Sequence, residues 1–428
     1  MVSAPRQFAC RFLCLMALPG DFAEHRLDAD PTYQALASGD RRLARELILG
    51  VLRWRATLNW MIAERTRGRR QDPVVQEVLR VALYQLFWLD RIPDHAAVND
   101  AVQLCRDAGL SRQGGFVNAL LRSCLRERAD VQSALEALRT SNPALAWSHP
   151  AWLVDRWSKT WGAEVTQRLL QWDNLPAPVW VRVNTLRISP DSLMDRWKAE
   201  GVEARAVDFP WTPPGLVFEL GSHPPLASLP SFNEGGFYVQ DPSTLLSVRD
   251  LDPQPGESVL DVCAAPGGKA CFMAQWMGNS GRIVAHDAVA SRLELIRQNR
   301  ERLGIGNLEI VAELPSAEVR FDRILVDAPC SNTGVLRRRV ESRWRLNAEE
   351  LPRLAERQLG ILRNAAARLK EGGTLVYSTC SLEREENRDV VDRFLAVEPE
   401  FRLEGDRQLH PVPDGVDGAY SARLKRRA

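Results

Sequence analysis

From about residue 236 to the C-terminus, short β-branched runs alternate with helical stretches, and this alternation constrains the fold more than any other feature of the chain. Ser258-Val259-Leu260-Asp261-Val262 reads as a strand, followed by a helix reaching Met277. Arg282 to Ala285, Leu308 to Val311, Phe321 to Val326 and Gly372 to Tyr377 read as further strands. Helices over Ser291 to Leu303, Leu351 to Leu369 and about Glu385 to Leu395 are interleaved with them. Strands joined by helical crossovers pair in parallel, and each crossover helix covers a sheet face. The expected architecture is a doubly wound parallel α/β sheet, with its ligand beyond the carboxyl ends of the strands.

Residues 1 to about 140 carry a different pattern. Ala44, Ile48, Val51, Leu52, Leu58, Met61 and Ile62 recur mostly at three- and four-residue steps, as in amphipathic helices. Pro73 suits the first turn of the next helix, and Val74 to Leu89 is apolar nearly all round, as a buried central helix is. Asp94 is expected to cap a helix through Cys105. Gly109, Gly114 and Gly115 are expected to separate it from a helix over Phe116 to Arg128. Asn142-Pro143 and His149-Pro150 mark a boundary, after which the pattern is mixed. Trp152 to Trp172 is helical, Val179 to Val183 alternates like a strand, and Ser192 to Glu200 is a short helix ending at Gly201. The expected domains are a helical bundle over 1–140, a small α+β domain over 141–235 and the α/β domain over 236–428. Three domains suit 428 residues at roughly 150 per domain, and 45% hydrophobic content is enough to build their cores.

The same composition removes several function classes. No run approaches the ~18 apolar residues of a membrane span, so no membrane role is expected. Arg6 and Arg11 precede the apolar run Phe12 to Leu18, which is at the lower length limit for a signal peptide and reads better as a first amphipathic helix. The net charge is +1, and residues 1–140 hold 20 Arg against 16 acidic residues, a local excess of 20 − 16 = +4. Eight cysteines are scattered without C-x-x-C spacing or nearby His, so no metal site is expected and the thiols read as free, in a cytoplasmic setting.

Four features fall at the carboxyl ends of the expected strands. The turn Asp261-Val262-Cys263-Ala264-Ala265-Pro266-Gly267-Gly268-Lys269 is small enough for a ligand to approach backbone, and the next helix N-terminus suits an anion. It lacks the spacing and the Lys-Ser/Thr pair of a Walker loop. Asp287, at the end of the next strand, suits ribose hydroxyls, so the two together imply a nucleoside-bearing cofactor. Asp327-Ala328-Pro329-Cys330 and Ser378-Thr379-Cys380-Ser381 each set a cysteine just past a strand. A lone cysteine is usually a small buried hydrophobe, but two at equivalent strand ends suit nucleophilic chemistry.

These motifs, in this order, resemble the RsmB/NSUN family of RNA cytosine-5 methyltransferases. Arg182-Val183-Asn184-Thr185 and Gln240-Asp241-Pro242-Ser243 resemble that family's upstream motifs. The N-terminal stretches Tyr84-Gln85-Leu86, Arg91 to Val98 and Phe116 to Arg122 resemble the NusB-like RNA-binding domain fused to its bacterial ribosomal members. The resemblance implies a NusB-like bundle, a small α+β domain and a Rossmann-like methyltransferase domain. It implies S-adenosylmethionine as methyl donor, no metal, and RNA as partner, with 16S ribosomal RNA as the expected substrate and no obligate protein partner. On this sequence it sets Cys263, Ala264, Ala265, Pro266, Gly267, Gly268 and Lys269 around the cofactor, Asp287 on its ribose and Glu313 near its adenine. Asp327 would sit beside cofactor and base, Cys380 would attack C6, and Cys330 would assist product release. Arg337, Arg338 and Arg339 are expected phosphate contacts. The chain departs from the family pattern at Ala270, where Thr or Ser is usual, and at Asn332, where Gly or Ala is usual; Asn tolerates the positive φ such a turn needs. Two other readings stay open: an RNA-binding protein with an inactive methyltransferase-like domain, and a methyltransferase for another substrate, such as tRNA.

Overall fold

A proline and an aspartate start the central helix of the N-terminal region. In the computed structural model, which describes residues 3–16 and 23–427, Pro73 opens the helix Pro73–Trp88, and the Asp72 side chain accepts from the amides of Val74 and Val75. Val78, Leu79, Val81 and Leu83 of this helix are buried among Leu47, Ile48, Leu58, Met61, Val98 and Leu121 of its neighbours. Those neighbours are Ser38–Arg53, Arg55–Thr66, Asp94–Asp107 and Ser111–Arg126, flanked by Ala4–Leu15, Arg128–Ser141 and Ala151–Asn174. Of the apolar run Phe12 to Leu18, Ala17 and Leu18 lie outside the described residues.

Two local expectations are corrected here. Asp94 is the first helical residue and not the cap; Pro93 holds the cap position and the Asp94 carboxylate pairs with Arg128 at 2.7 Å. Gly114 and Gly115 do not break the chain but lie inside Ser111–Arg126. A Cβ on Gly114 would sit 3.3 Å from Val102 Cγ1, so this glycine lets two helices approach closely.

The chain divides into two compact units, Met1–Leu175 with Leu336–Leu346, and Pro176–Val335 with Asn347–Ala428. The division falls later than the change of sequence pattern near 141 because Ala151–Asn174 is tied to the helices. Arg343 is fully buried and donates to the carbonyl of Ser148 at 3.1 Å, the Asn174 side chain at 3.0 Å and the carbonyl of Asp173 at 3.2 Å. Trp344 Nε1 donates to the Leu52 carbonyl at 2.6 Å, and Glu341 accepts from the Ala23 amide at 2.8 Å. These bonds seat 336–346 in the helical unit.

The second unit holds two sheets. The smaller is antiparallel, with strands β1 (Val179–Val183), β2 (Ala204–Ala206), β3 (Val217–Leu220) and β4 (Phe237–Val239) in the order β2-β3-β1-β4. The larger has β5 (Ser258–Asp261), β6 (Arg282–His286), β7 (Leu308–Val311), β8 (Phe321–Asp327), β9 (Leu369–Thr379), β10 (Phe401–Leu409) and β11 (Ala419–Arg426). Its order is β10-β11-β9-β8-β5-β6-β7. The five strands from β9 to β7 are parallel, as expected. β11 and β10 are antiparallel to their neighbours, so the sheet is mixed; a connection as short as 410–418 cannot return the chain to a parallel start.

One sheet face and the small sheet share a core. Val181, Trp197 and Phe237 are buried in one cluster with Phe272, Met273 and Ile296. Leu260, Ile324, Leu362 and Phe394 fill the other face. The upstream motif supplies the polar ties. Arg182, 1% exposed, donates to Gln240 Oε1 at 2.6 Å and to the Gly268 carbonyl at 3.2 Å, over the Phe272 ring at 4.4 Å. Asn184 donates to the Gly235 and Leu303 carbonyls at 2.8 and 2.9 Å. Among the described residues, no helix is long and apolar enough to cross a membrane.

The tightest glycine position in the helical unit is testable. A Cβ on Gly50 would lie 2.0 Å from the Tyr84 ring, whose hydroxyl donates to Glu46 at 2.5 Å, whereas a Cβ on Gly39 of the same helix meets nothing. Gly50→Ala is expected to cost about 1–3 kcal/mol, as overpacking does, and Gly39→Ala to cost nothing, read from urea unfolding followed by circular dichroism.

Candidate active site at the carboxyl edge of the larger sheet

Strand register brings the expected residues to one edge. Asp261 of β5 pairs with Leu325 of β8, and Asp327 of β8 pairs with Ser378 of β9. The loops that leave β5, β6, β8 and β9 therefore emerge side by side.

The first loop is the turn at Cys263–Lys269. Gly267 takes φ 101° and caps the helix Gly268–Trp276. A Cβ on Gly267 would lie 3.3 Å from Ile296, and one on Gly268 2.8 Å from the Tyr238 ring. These two glycines serve packing against a helix and against β4, a reason the sequence did not reveal. Asp287, 5% exposed just past β6, braces the turn by accepting from the amides of Ala265 at 3.2 Å and Val289 at 3.0 Å. Its carboxylate pairs with Arg292 at 3.5 Å. Glu313 lies two residues past β7, exposed on a bend at the same edge.

Asp261 is fully buried, and no described donor meets either carboxylate oxygen at bonding geometry. Burial, with the nearby Asp327 charge added, pushes its pKa up to about 8. Burial pushes the Cys263 thiol well up as well, so Cys263 is a poor nucleophile. Lys269 reaches away from the turn to Asp327, Nζ to Oδ2 2.6 Å. Burial alone would lower the Lys269 pKa, but Asp327 outweighs it and the ammonium is held charged. The second Asp327 oxygen accepts from Ser378 Oγ at 2.9 Å, which fixes the carboxylate between the turn and β9.

The two cysteines meet. Cys330 Sγ lies 3.4 Å from Cys380 Sγ, both half-buried. The Cys380 sulfur beside it, together with burial, raises the Cys330 thiol well above its ordinary value, so Cys330 is held protonated. Asn332 takes φ 63°, as its tolerance of that region allows; it donates to the Cys330 carbonyl at 2.9 Å, and its Oδ1 accepts from Cys380 at 3.3 Å. Gly334 donates to the Cys380 carbonyl at 2.9 Å, where a Cβ would lie 2.7 Å from that oxygen. Ala270, where the family usually has a hydroxyl, is fully buried.

The three arginines belong to Leu336–Leu346 of the helical unit. Arg337 is corrected outright. It is 3% exposed with its guanidinium 4.0 Å from the Trp172 ring centroid, so it packs and does not reach a phosphate. Arg338 and Arg339 are half-buried. Sequence reasoning missed Glu386, which is fully buried under both cysteine loops; the one available signal was that a serine follows each cysteine. Among the described residues, no group of three or more His, Cys, Asp or Glu is placed to hold a metal ion.

Three known families match the chain. The family described as 16S rRNA methyltransferase RsmB/F matches residues 248–425, the NusB family matches 3–126, and the RsmF/B-like ferredoxin-like domain matches 149–220. The curated "Probable ribosomal RNA small subunit methyltransferase B" of Bacillus subtilis (strain 168) is 36% identical over 416 residues, 92% of each chain. Ribosomal RNA small subunit methyltransferase B of Vibrio cholerae serotype O1 is 35% identical over 415 residues, covering 92% of this chain and 91% of that one. A crystal structure described as a methyltransferase homolog protein from Pyrococcus horikoshii matches with TM-score 0.58 and 32% identity, over 66% of this chain and 97% of that one.

The buried Asp261 carries a pH signature. With its folded pKa near 8 and an unfolded value of ~3.9, the native state binds the extra proton between these values. Stability then falls as pH rises through that window. Asp261→Asn is expected to flatten the fall between pH 5 and 8, by an amount on the order of a few kcal/mol, in urea unfolding of the ligand-free protein.

Proposed function

Because the chain belongs to the 16S rRNA methyltransferase RsmB/F family, we propose that it methylates C5 of a cytidine in 16S rRNA through a transient bond between Cys380 and C6 of the base. The family is one of S-adenosylmethionine-dependent enzymes acting on ribosomal RNA. The observation that carries the cytosine-5 reading is the 3.4 Å approach of two sulfurs beside the Lys269–Asp327 pair.

The residues present fit S-adenosylmethionine. Asp261 offers a buried carboxyl with no donor at bonding geometry, and a ligand ammonium beside it would hold it ionised. Asp287 keeps lone pairs for ribose hydroxyls after its two backbone bonds, and Glu313 stands at the adjoining strand end for the adenine. Residues 263–269 line the approach with backbone and small side chains. When bound, S-adenosylmethionine supplies an electrophilic methyl on its sulfonium.

Cytosine C5 is a weak nucleophile, so the protein must first raise its electron density. Attack by the Cys380 thiolate forms the S–C6 bond and pushes an electron pair toward C5 and N3, making C5 enamine-like. Asp327, held by Lys269 and Ser378, takes its place at N3, where it shares a proton with the developing charge. Cys330 is held as a thiol by the Cys380 sulfur beside it and by burial. Once the Cys380 sulfur is bonded to carbon, that restraint on the Cys330 proton is gone and it passes to solvent. The Cys330 sulfur then takes the C5 proton of the methylated base. The C5–H electron pair re-forms the C5–C6 double bond, and Cys380 leaves as thiolate. One proton is released per turnover, and both sulfurs return to their starting states. The base must be unstacked to expose C6, which costs a few kcal/mol and favours a single-stranded or open stretch of rRNA. The NusB-like helical unit supplies RNA affinity, with Arg338 and Arg339 as its phosphate contacts.

The two cysteines are expected to fail differently. Cys380→Ala should abolish methyl transfer and any covalent RNA adduct. Cys330→Ala should leave an adduct that survives denaturing electrophoresis and carries label from methyl-labelled S-adenosylmethionine, and the double variant should form none. Exchanged outcomes would exchange the roles, and normal methylation by both single variants would end the cysteine mechanism. For RNA binding, Arg338→Ala with Arg339→Ala should flatten the slope of log affinity against log salt by roughly 1–2, measured by filter binding; an unchanged slope removes both from the interface.

A further inference from the structure

Glu386 is fully buried and accepts four hydrogen bonds. They come from the Ser331 amide at 2.9 Å, the Ser331 hydroxyl, the Ser381 hydroxyl at 2.6 Å and Gln358 Nε2 at 2.9 Å. Ser331 and Ser381 directly follow the two active cysteines, and their hydroxyls lie 3.1 Å apart. We propose that Glu386 is a positioning residue for product release: its carboxylate ties the loop carrying Cys330 to the loop carrying Cys380. The inference rests on the covalent reading above and adds a group that touches neither substrate nor cofactor.

The two loops depend on this tie unequally. Cys380 leaves the end of β9, and its flank has anchors of its own. The Thr379 hydroxyl donates to Asn387 at 2.5 Å, the Ser381 amide to Thr379 at 3.1 Å, and Asn387 Nδ2 to the Ser381 carbonyl at 2.9 Å. Residues 330–332 have no regular secondary structure. Their backbone is tied by the Ser331 amide on Glu386 and, next door, by Gln358 Nε2 on the Pro329 carbonyl at 3.0 Å; the Ser331 hydroxyl adds bonds to Glu386 and Ser381, and Asn332 Oδ1 accepts from Cys380. That same Nε2 is oriented by Glu386. Loss of the carboxylate therefore frees Cys330 first. Cys380 and Cys330 act in turn on adjacent carbons of one ring, so displacement of the second sulfur stalls the step that breaks the S–C6 bond.

The test uses the full chain with Glu386→Ala, Glu386→Asp and Glu386→Gln, each compared with Cys330→Ala. Glu386→Ala and Glu386→Asp are expected to lower kcat about 10–100-fold, the scale of a misplaced reacting group, with KM for RNA moved less than about twofold. Both should accumulate the methyl-labelled adduct seen with Cys330→Ala. Glu386→Gln keeps an acceptor for the Ser331 amide and can donate to the two hydroxyls, so it should turn over without adduct. Ser331→Ala, which removes one tie and keeps its amide, should show the same adduct at a lower level and serves where Glu386→Ala fails to fold. Slow turnover without adduct, or normal turnover per folded molecule, overturns the inference. An adduct in Cys330→Ala and none in the Glu386 or Ser331 variants overturns it alone; no adduct in Cys330→Ala overturns the covalent reading and the inference with it.

Discussion

Parallel pairing of β5, β8 and β9 is the constraint on which the site depends. A parallel ladder sends every strand out at the same edge, so the loops after Asp261, Asp327 and Thr379 have no choice but to meet. Register then sets distances. With Asp327 opposite Ser378, the hydroxyl reaches the carboxylate at 2.9 Å, and three residues past Asp327 and two past Ser378 the two cysteine sulfurs lie 3.4 Å apart. A slip of one residue in β9 would turn Ser378 to the other sheet face and part the sulfurs. The antiparallel β11 reinforces this register from the far side, pairing Tyr420 with Thr379 and Ser421 with Ser378.

Crowding so many polar groups at one edge has an electrostatic consequence. Asp261, Asp327 and Asp287 lie close enough to influence one another, and only Lys269 among the turn residues offsets them. The fold handles this by exposure. Asp327, whose side chain is 31% exposed, pairs with Lys269 at 2.6 Å, while Asp261 is fully buried and its pKa is pushed up to about 8. Cys330 is likewise shifted, held as a thiol by the Cys380 sulfur beside it and by burial.

Much of this was legible in the sequence because it followed from local rules. Strand–helix alternation fixed the parallel sheet, and motifs just past strands must lie at its ligand edge. The antiparallel β10–β11 end escaped because β10 (Phe401–Leu409) is mostly exposed and carries little apolar pattern. Arg337 was misread because a run of three arginines looks solvated, and only the partner ring of Trp172, more than 160 residues earlier, reveals that one of them is packed. Glu386 was invisible for a related reason. In sequence it opens a helix among other acidic residues, and nothing local distinguishes it from a solvated helix start. Its meaning comes from four donors on three separate segments, which only tertiary structure brings together.

Buried arginines make polar ties to amide and backbone oxygens in each unit. Arg182 gives its bonds to an amide oxygen and a backbone carbonyl, over an aromatic face; burial lowers its pKa to about 10. Arg343 does the same in the helical unit, with carbonyls and the Asn174 side chain, and its pKa also falls to about 10. A desolvated guanidinium is costly, and replacing such a group by apolar packing is often neutral or stabilising. Its advantage is geometric: five donors in a fixed fork can join several chain segments at once. Arg182 joins β1, the Gln240 loop and the first turn of the helix Gly268–Trp276. Arg343 joins the 336–346 insertion to both ends of the Ala151–Asn174 helix region. Both lie where a segment distant in sequence must be seated against a functional loop or an inserted strand of chain. Their cost is spent on position and not on net stability.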